Sequence, residues 1–289
     1  MRVEESLTVK KSLIEKELER ILSGDDSLLF EAMRYAVLLG GKRFRPLLLL
    51  SVGECFGLGP KLLLPFACGL ELIHNYSLIH DDLPAMDNDD YRRGRPTCHK
   101  RFGEDIAILA GDSLLTLAFE LLAGAPVPTG FASRKQEAIQ SVSRSAGPAG
   151  LIGGQYLDIT LDAKKITEAK YAELILKKTG ALIIAAVEIG AILGGARPAE
   201  RRALADYGKN IGLAFQVRDD ILDSRGAAGK KNRERPDFVA FVGMTKAKRR
   251  LETLVDKAVA SLERFSSRGE ELRCLAFSLL NLKPEAPHA

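Results

Sequence analysis

Apolar positions recur at three- and four-residue intervals along nearly the whole chain, a periodicity that predicts helices. Leu13, Glu17 and Ile21 fall in a charged amphipathic segment, and residues 28–39 carry apolar side chains at helical spacing. Gly40-Gly41 then breaks the pattern. Pro46 stands where a first helical turn begins, and Leu47 to Phe56 is almost wholly apolar, as a central helix of a bundle would be. Further helices are predicted over about 61–82, 104–123, 133–147, 167–194, 198–222 and 245–265, separated by Gly- and Pro-containing stretches. Strand-like alternation of useful length, internal repeats and a dividing linker are all missing. The pattern predicts an all-α protein with a single domain over 1–289, a bundle whose apolar central helices are ringed by amphipathic ones.

Composition agrees with that picture. A hydrophobic share of 46% and a charged share of 28% exclude a disordered chain, and 289 residues suffice for a substantial core. The aromatic share of 6%, with no Trp, argues against an all-β sandwich or barrel. A net charge of +4 without a long Lys/Arg block gives no reason to expect nucleic acid. Cys55, Cys68, Cys98 and Cys274 form no CxxC pair, and four scattered His offer no zinc spacing, which fits free thiols in a reducing cytoplasm. The N-terminus lacks the apolar run of a signal peptide. The longest apolar stretch, Ala181 to Ala196, is short for a bilayer and contains Glu188, so no membrane span is expected.

The chemistry concentrates in two aspartate-rich segments. In the first, Asp81, Asp82, Asp87, Asp89 and Asp90 follow an apolar helix and precede Arg92 and Arg93. Carboxylates so close together repel unless a cation intervenes, and oxygen donors without nearby thiols or imidazoles suit Mg²⁺ alongside phosphate oxygens. Asp81 and Asp87 could not align on an unbroken helix, so the helix should loosen near Pro84. In the second, Asp219 and Asp223 are four apart and share a helix face, with Gln216 on the same stripe and Asp220 adjacent. One such motif is weak; two, each ending an apolar helix, could present carboxylate walls to one metal cluster.

Such walls call for an anionic ligand, and basic residues near other helix ends support one. Lys42, Arg43 and Arg45 follow the Gly40-Gly41 break at a helix start, where backbone N–H groups favour anions. Arg92 and Arg93, if helical, diverge by about 100° and could serve different pockets. Lys178-Thr179-Gly180 interrupts the predicted 167–194 helix, and a Lys there needs a partner. His74, two turns before Asp81, could donate to an anion.

These residues resemble the trans-isoprenyl diphosphate synthases, or polyprenyl synthetases. The matching stretches are 40–46, 74–99, 110–115, 153–159, 177–182 and 215–223, in the family's order. The resemblance is nearest the bacterial farnesyl diphosphate synthase branch. It implies an all-α fold around a deep active-site cavity, a cytoplasmic homodimer and three Mg²⁺ ions. It also implies condensation of dimethylallyl or geranyl diphosphate with isopentenyl diphosphate, releasing pyrophosphate. By that resemblance Asp81, Asp82, Asp87, Asp219, Asp220 and Asp223 hold the metals. Arg92 and Lys178 touch the allylic diphosphate, and Lys42, Arg45, His74 and Arg93 form the isopentenyl diphosphate site. Thr179, Gln216, Gln155 and Asp158 line the reacting region, while Tyr76 and Ser77 act as a floor for the growing tail. Bulky Tyr76 suggests a farnesyl (C15) product, with a geranylgeranyl (C20) synthase as the alternative. Two departures stand out: a shortened loop after Asp223, where Lys230 and Arg235 are the residues available for the family's later basic contacts, and a C-terminus from Asn281 without a basic tail. The shortened loop leaves a non-catalytic subunit of a heteromeric synthase as a rival. A terpene cyclase fits less well, because DDILD stands where a different metal triad would be expected.

Overall fold

The computed structural model describes residues 3–162, 166–224 and 237–282. The chain runs through α1 (Val3–Ile21), α2 (Leu28–Leu38), α3 (Phe44–Cys55) and α4 (Pro60–Asp81) before a small hairpin, β1 (Tyr91–Arg92) and β2 (Arg95–Pro96). Then follow α5 (Cys98–Phe102), α6 (Glu104–Gly124), α7 (Ala132–Ala146), α8 (Leu151–Thr160) and α9 (Glu168–Ile175). A π-helical turn, Leu176–Gly180, leads into α10 (Ala181–Leu193). The chain continues with α11 (Pro198–Asp223), α12 (Phe238–Val242), α13 (Met244–Ser261), a 3₁₀ segment (Glu263–Gly269) and α14 (Glu270–Ser278).

Local chemistry sets several starts. Ser27 and Thr167 accept hydrogen bonds from the backbone N–H groups of Phe30 and Lys170, and Asp237 caps α12 through Val239 N. Pro60 and Pro198 occupy first-turn positions, where their missing N–H costs nothing. The apolar helices α3 and α10 are buried on nearly every side and pack on each other. Around them α4 packs on α3 and α6, and α11 packs on α10 and α13.

Buried charge ties this arrangement together. Arg43, 2% exposed, hydrogen-bonds Glu15, Glu71 (2.9 Å) and the Val37 carbonyl (2.7 Å). It is thus a structural clamp between α1, α2 and α4, not part of the basic site its neighbours form. Lys10 joins Glu54 (2.7 Å) on α3 and Glu271 on α14, linking both ends of the chain.

Several sequence expectations change. The single helix expected over 167–194 is α9, the π turn and α10. The run expected to reach 265 ends at Ser261. The sequence pattern does not predict α8 or α14: each is short, and in α8 the Gly153-Gly154 pair at the third and fourth residues hides its periodicity. Among the described residues, two helices, α4 and α6, are long and apolar enough to cross a membrane by length and composition. The apolar window of α4 is 72% buried, as expected of a core helix, whereas that of α6 is 33% buried.

Candidate active site

The first aspartate motif begins where α4 stops. Asp87 N donates to the Asp81 carbonyl (2.9 Å) and Met86 N to the Leu83 carbonyl (2.9 Å), so the chain curls past Pro84 and returns Asp87 to the end of the helix. That is the loosening the spacing requires. Asp82 is buried and receives Arg92 through Nε (2.8 Å) and Nη2 (2.5 Å). Burial raises the Asp82 carboxyl above its usual range, and Arg92 opposes that rise.

Arg92 and Arg93 diverge as expected but not on a helix. Arg92 ends β1, and Arg93 and Gly94, at φ 52° and 76°, form the turn, the positive pair that a tight hairpin demands. Arg93 consequently swings back to donate to the Gly40 carbonyl. A Cβ on Gly41, which sits at φ 137°, would lie 3.0 Å from that guanidinium, so Gly40-Gly41 is both a turn and a seat for Arg93.

Beside it lies a basic cluster short of anions. Arg45 is 8% exposed, its Nε has no hydrogen-bond partner, and its Nη1 is 3.4 Å from His74 Nε2. Burial lowers the pKa of Lys42, Arg45 and Arg93. His74 is held well below the usual histidine range by burial and then by Arg45, Arg93 and Arg92. Lys42, Arg45 and Arg93 each carry their charge at some cost, a condition that a bound anion relieves.

The second motif, at the end of α11, divides by role. Asp219 is pushed up to about 6 by its enclosure, against the pull of Arg218 and Lys42. Asp220 instead accepts from Tyr171 Oη (2.5 Å), Phe238 N (2.9 Å) and Gln216 Nε2 (2.8 Å). Gln216, placed by spacing on the stripe of Asp219 and Asp223, therefore serves Asp220, and its Oε1 accepts from Thr179 Oγ1 (2.8 Å). The partner that Lys178 needs is Asp158 of α8, at 2.6 Å. Both amide atoms of the Gln155 side chain are buried without partners. Tyr171, the residue that fixes Asp220, gave no sign in the sequence: its partner is 49 residues away.

Tyr76 is buried on α4, edge-to-face with His80, and Ser77 Oγ donates to the His74 carbonyl. The space lined by Asn75, Asp82, Arg92 and Arg93 is nearly closed, at about 20 Å³. A larger cleft of about 660 Å³, lined by Leu176, Lys177 and Glu188, lies between α7, α10 and α11 and touches none of the motif aspartates. Lys230 and Arg235 lie outside the described residues.

Among the described residues, no three carboxylate, imidazole or thiol groups converge closely enough to hold a metal ion. The donor chemistry still fits Mg²⁺, which keeps several waters and uses one or two carboxylates together with substrate phosphates.

Two aspartate motifs at helix ends beside an anion-seeking basic cluster define an all-α protein suited to phosphorylated substrates. Residues 26–240 match the polyprenyl synthetase family, and the chain belongs to it. It is 40% identical over 268 residues to a farnesyl diphosphate synthase of Geobacillus stearothermophilus, covering 89% of this chain and 90% of that one. It is 39% identical over 284 residues to a geranylgeranyl diphosphate synthase of Cyanophora paradoxa, covering 94% of each. A crystal structure of an FPP/GFPP synthase from Zymomonas mobilis superposes with a TM-score of 0.86 at 36% identity, covering 96% of this chain and 98% of that one.

Proposed function

We propose that this chain is a short-chain prenyltransferase joining dimethylallyl or geranyl diphosphate to isopentenyl diphosphate, with farnesyl diphosphate as its product. The observation that carries the reading is the buried Arg45, whose Nε lacks a partner beside a His74 kept neutral. Together with Lys42 and Arg93 they form a seat for the isopentenyl diphosphate headgroup. Arg92 and Lys178, each held by one carboxylate, are positioned to bring positive charge to the allylic diphosphate as its carbon–oxygen bond breaks. Mg²⁺, held by Asp81, Asp82, Asp87, Asp219, Asp220 and Asp223 with diphosphate oxygens, would neutralise the charge gathering on the leaving pyrophosphate. Thr179 and Gln216, already bonded to each other, face the reacting carbons, and the apolar walls exclude water from the allylic cation. The released pyrophosphate accepts the last proton, so no side-chain base is needed.

Tyr76 is the proposed floor that stops growth at C15. A C20 product is the second reading, because the geranylgeranyl synthase relative is as similar as the farnesyl one. The protein is also proposed to act as a cytoplasmic homodimer. On α6, Ile108 and Leu109 are 44% and 52% exposed opposite a buried stripe of Ala107, Ala110, Leu114 and Ala118, an apolar face for a second copy to cover.

The test supplies Mg²⁺, labelled isopentenyl diphosphate and each primer in turn, and sizes the hydrolysed products by chromatography. A C15 ceiling is expected. Extension of farnesyl diphosphate to C20 overturns the product, and no elongation with any primer overturns the activity in favour of a non-catalytic subunit.

A further inference from the structure

The π turn that carries Lys178 and Thr179 is gripped from two sides in the same way. On α8, a Cβ at Gly154 would fall 2.2 Å from Lys178 N, 2.5 Å from Lys178 Cα and 2.7 Å from Lys177 C. Four residues later on that helix, Asp158 takes Lys178 Nζ at 2.6 Å. On α11, a Cβ at Gly212 would fall 2.9 Å from Gly180 Cα. Four residues later, Gln216 takes Thr179 Oγ1 at 2.8 Å.

Residues four apart on a helix share a face, so each flanking helix offers one bare backbone patch and one polar hand. The atoms met are backbone, which cannot swing aside as a side-chain end would. A π turn is a costly local form, met chiefly where a function needs it, and here two helices press it from either side.

We propose that Gly154 and Gly212 are positioning residues for the prenyl transfer. Their missing side chains let α8 and α11 close on the π turn so that Asp158 aims the Lys178 ammonium and Gln216 aims the Thr179 hydroxyl. The proposal rests on the prenyltransferase reading for its kinetic consequence but not for its geometry.

Gly208 supplies the control. It lies one turn before Gly212 on the same helix, and a Cβ there would make ordinary contacts of 3.4 Å or more. The experiment compares Gly154→Ala, Gly212→Ala and Gly208→Ala with the wild type in steady-state elongation, varying each substrate separately. Binding of inorganic pyrophosphate with Mg²⁺ is measured by calorimetry on the same samples, after circular dichroism confirms helicity. Misplacing a positioned group by about 1 Å can cost on the order of 10²-fold, so Gly154→Ala and Gly212→Ala are expected to lose about that much kcat/KM for the allylic diphosphate. Gly208→Ala should match the wild type, and the KM for isopentenyl diphosphate should stay unchanged in all three. A merely structural role would lower the active fraction without separating the two substrates.

Equal kinetics for Gly212→Ala and Gly208→Ala overturn the proposal. If either glycine variant fails to fold, Asp158→Asn leaves both glycines in place. It should weaken the allylic substrate selectively, and an unchanged allylic KM overturns the proposal. If the wild type elongates nothing, the activity falls. The clamp then stands on weaker pyrophosphate binding by Gly154→Ala and Gly212→Ala, and is overturned if their binding matches that of Gly208→Ala.

Discussion

Arg92 meets Asp82 through both Nε and Nη2, at 2.8 Å and 2.5 Å, although ten residues and a sharp turn separate them. The pair fastens the hairpin to the end of α4 and opposes the rise that burial imposes on the Asp82 carboxyl. Removing Arg92 would leave Asp82 enclosed without its cation; with the guanidinium 31% exposed, the loss is smaller than the roughly 3 kcal/mol of a fully buried pair. Arg92→Ala should therefore lower the urea midpoint as well as activity. Arg92→Lys should recover part of the stability, because a point charge replaces only one of the two contacts. Equal stability of Arg92→Ala and wild type would contradict this role.

Asp219 predicts a different balance. Enclosure lifts its carboxyl to about 6, above its unfolded value, so the charged form opposes folding at neutral pH. Some 40% of the side chain remains accessible, which limits the effect to well under the full shift. Asp219→Asn should leave the thermal midpoint of the ligand-free protein unchanged or slightly raised. Its turnover with Mg²⁺ should fall by about 10²-fold or more, as for loss of one group that stabilises transition-state charge.

His74 sets a pH dependence. Its folded pKa is depressed, by burial first and then by the arginines around it. The unfolded chain takes up a proton below about pH 6.5 that the folded chain refuses, so stability is lost as pH falls, by at most about 1.4 kcal/mol per pH unit. Denaturant titrations at pH 7 and pH 5 should show a smaller loss for His74→Gln than for wild type. Added pyrophosphate should also flatten the wild-type slope, because an anion between Arg45 and His74 favours the protonated ring.

Tyr76 carries the product length. Tyr76→Ala should leave the first condensations intact and shift the longest hydrolysed product from C15 to C20 or beyond. A C15 ceiling retained by that variant would place the floor elsewhere.

The exposed face of α6 makes a prediction about assembly. A charge at the centre of an apolar interface is costly, so Leu109→Asp should convert a dimer to a monomer in light scattering coupled to gel filtration. A wild-type monomer at micromolar concentration would remove the second copy from the proposal.

Both aspartate motifs of the candidate site are legible before any fold is known, because runs of like charge at helix ends are local features. The curl at Pro84 followed from the six-residue spacing of Asp81 and Asp87 and is present as a backbone bond between them. The family resemblance named the basic residues, and the structure brings Arg45 next to His74. That Arg92 and Arg93 part at a hairpin could not be read from the sequence, because a two-residue turn at positive φ leaves no mark in hydrophobic periodicity. The interruption that the sequence places at Lys178-Thr179-Gly180 is a π turn inside a continuous run of helical backbone, so apolar spacing stays helical on both sides of it.

Periodic burial of apolar side chains was enough to specify an all-α bundle and the ends of its main helices, since helix formation and facing depend on neighbours within four residues. Which distant partner each polar side chain meets was decided only in three dimensions. Lys178 finds Asp158 across 20 residues, Thr179 finds Gln216 across 37, and Tyr171 reaches Asp220 across 49. The first two follow from how closely α8 and α11 approach the π turn. That approach depends on the absence of side chains at Gly154 and Gly212, a packing fact that acquires meaning only once the helices lie against one another.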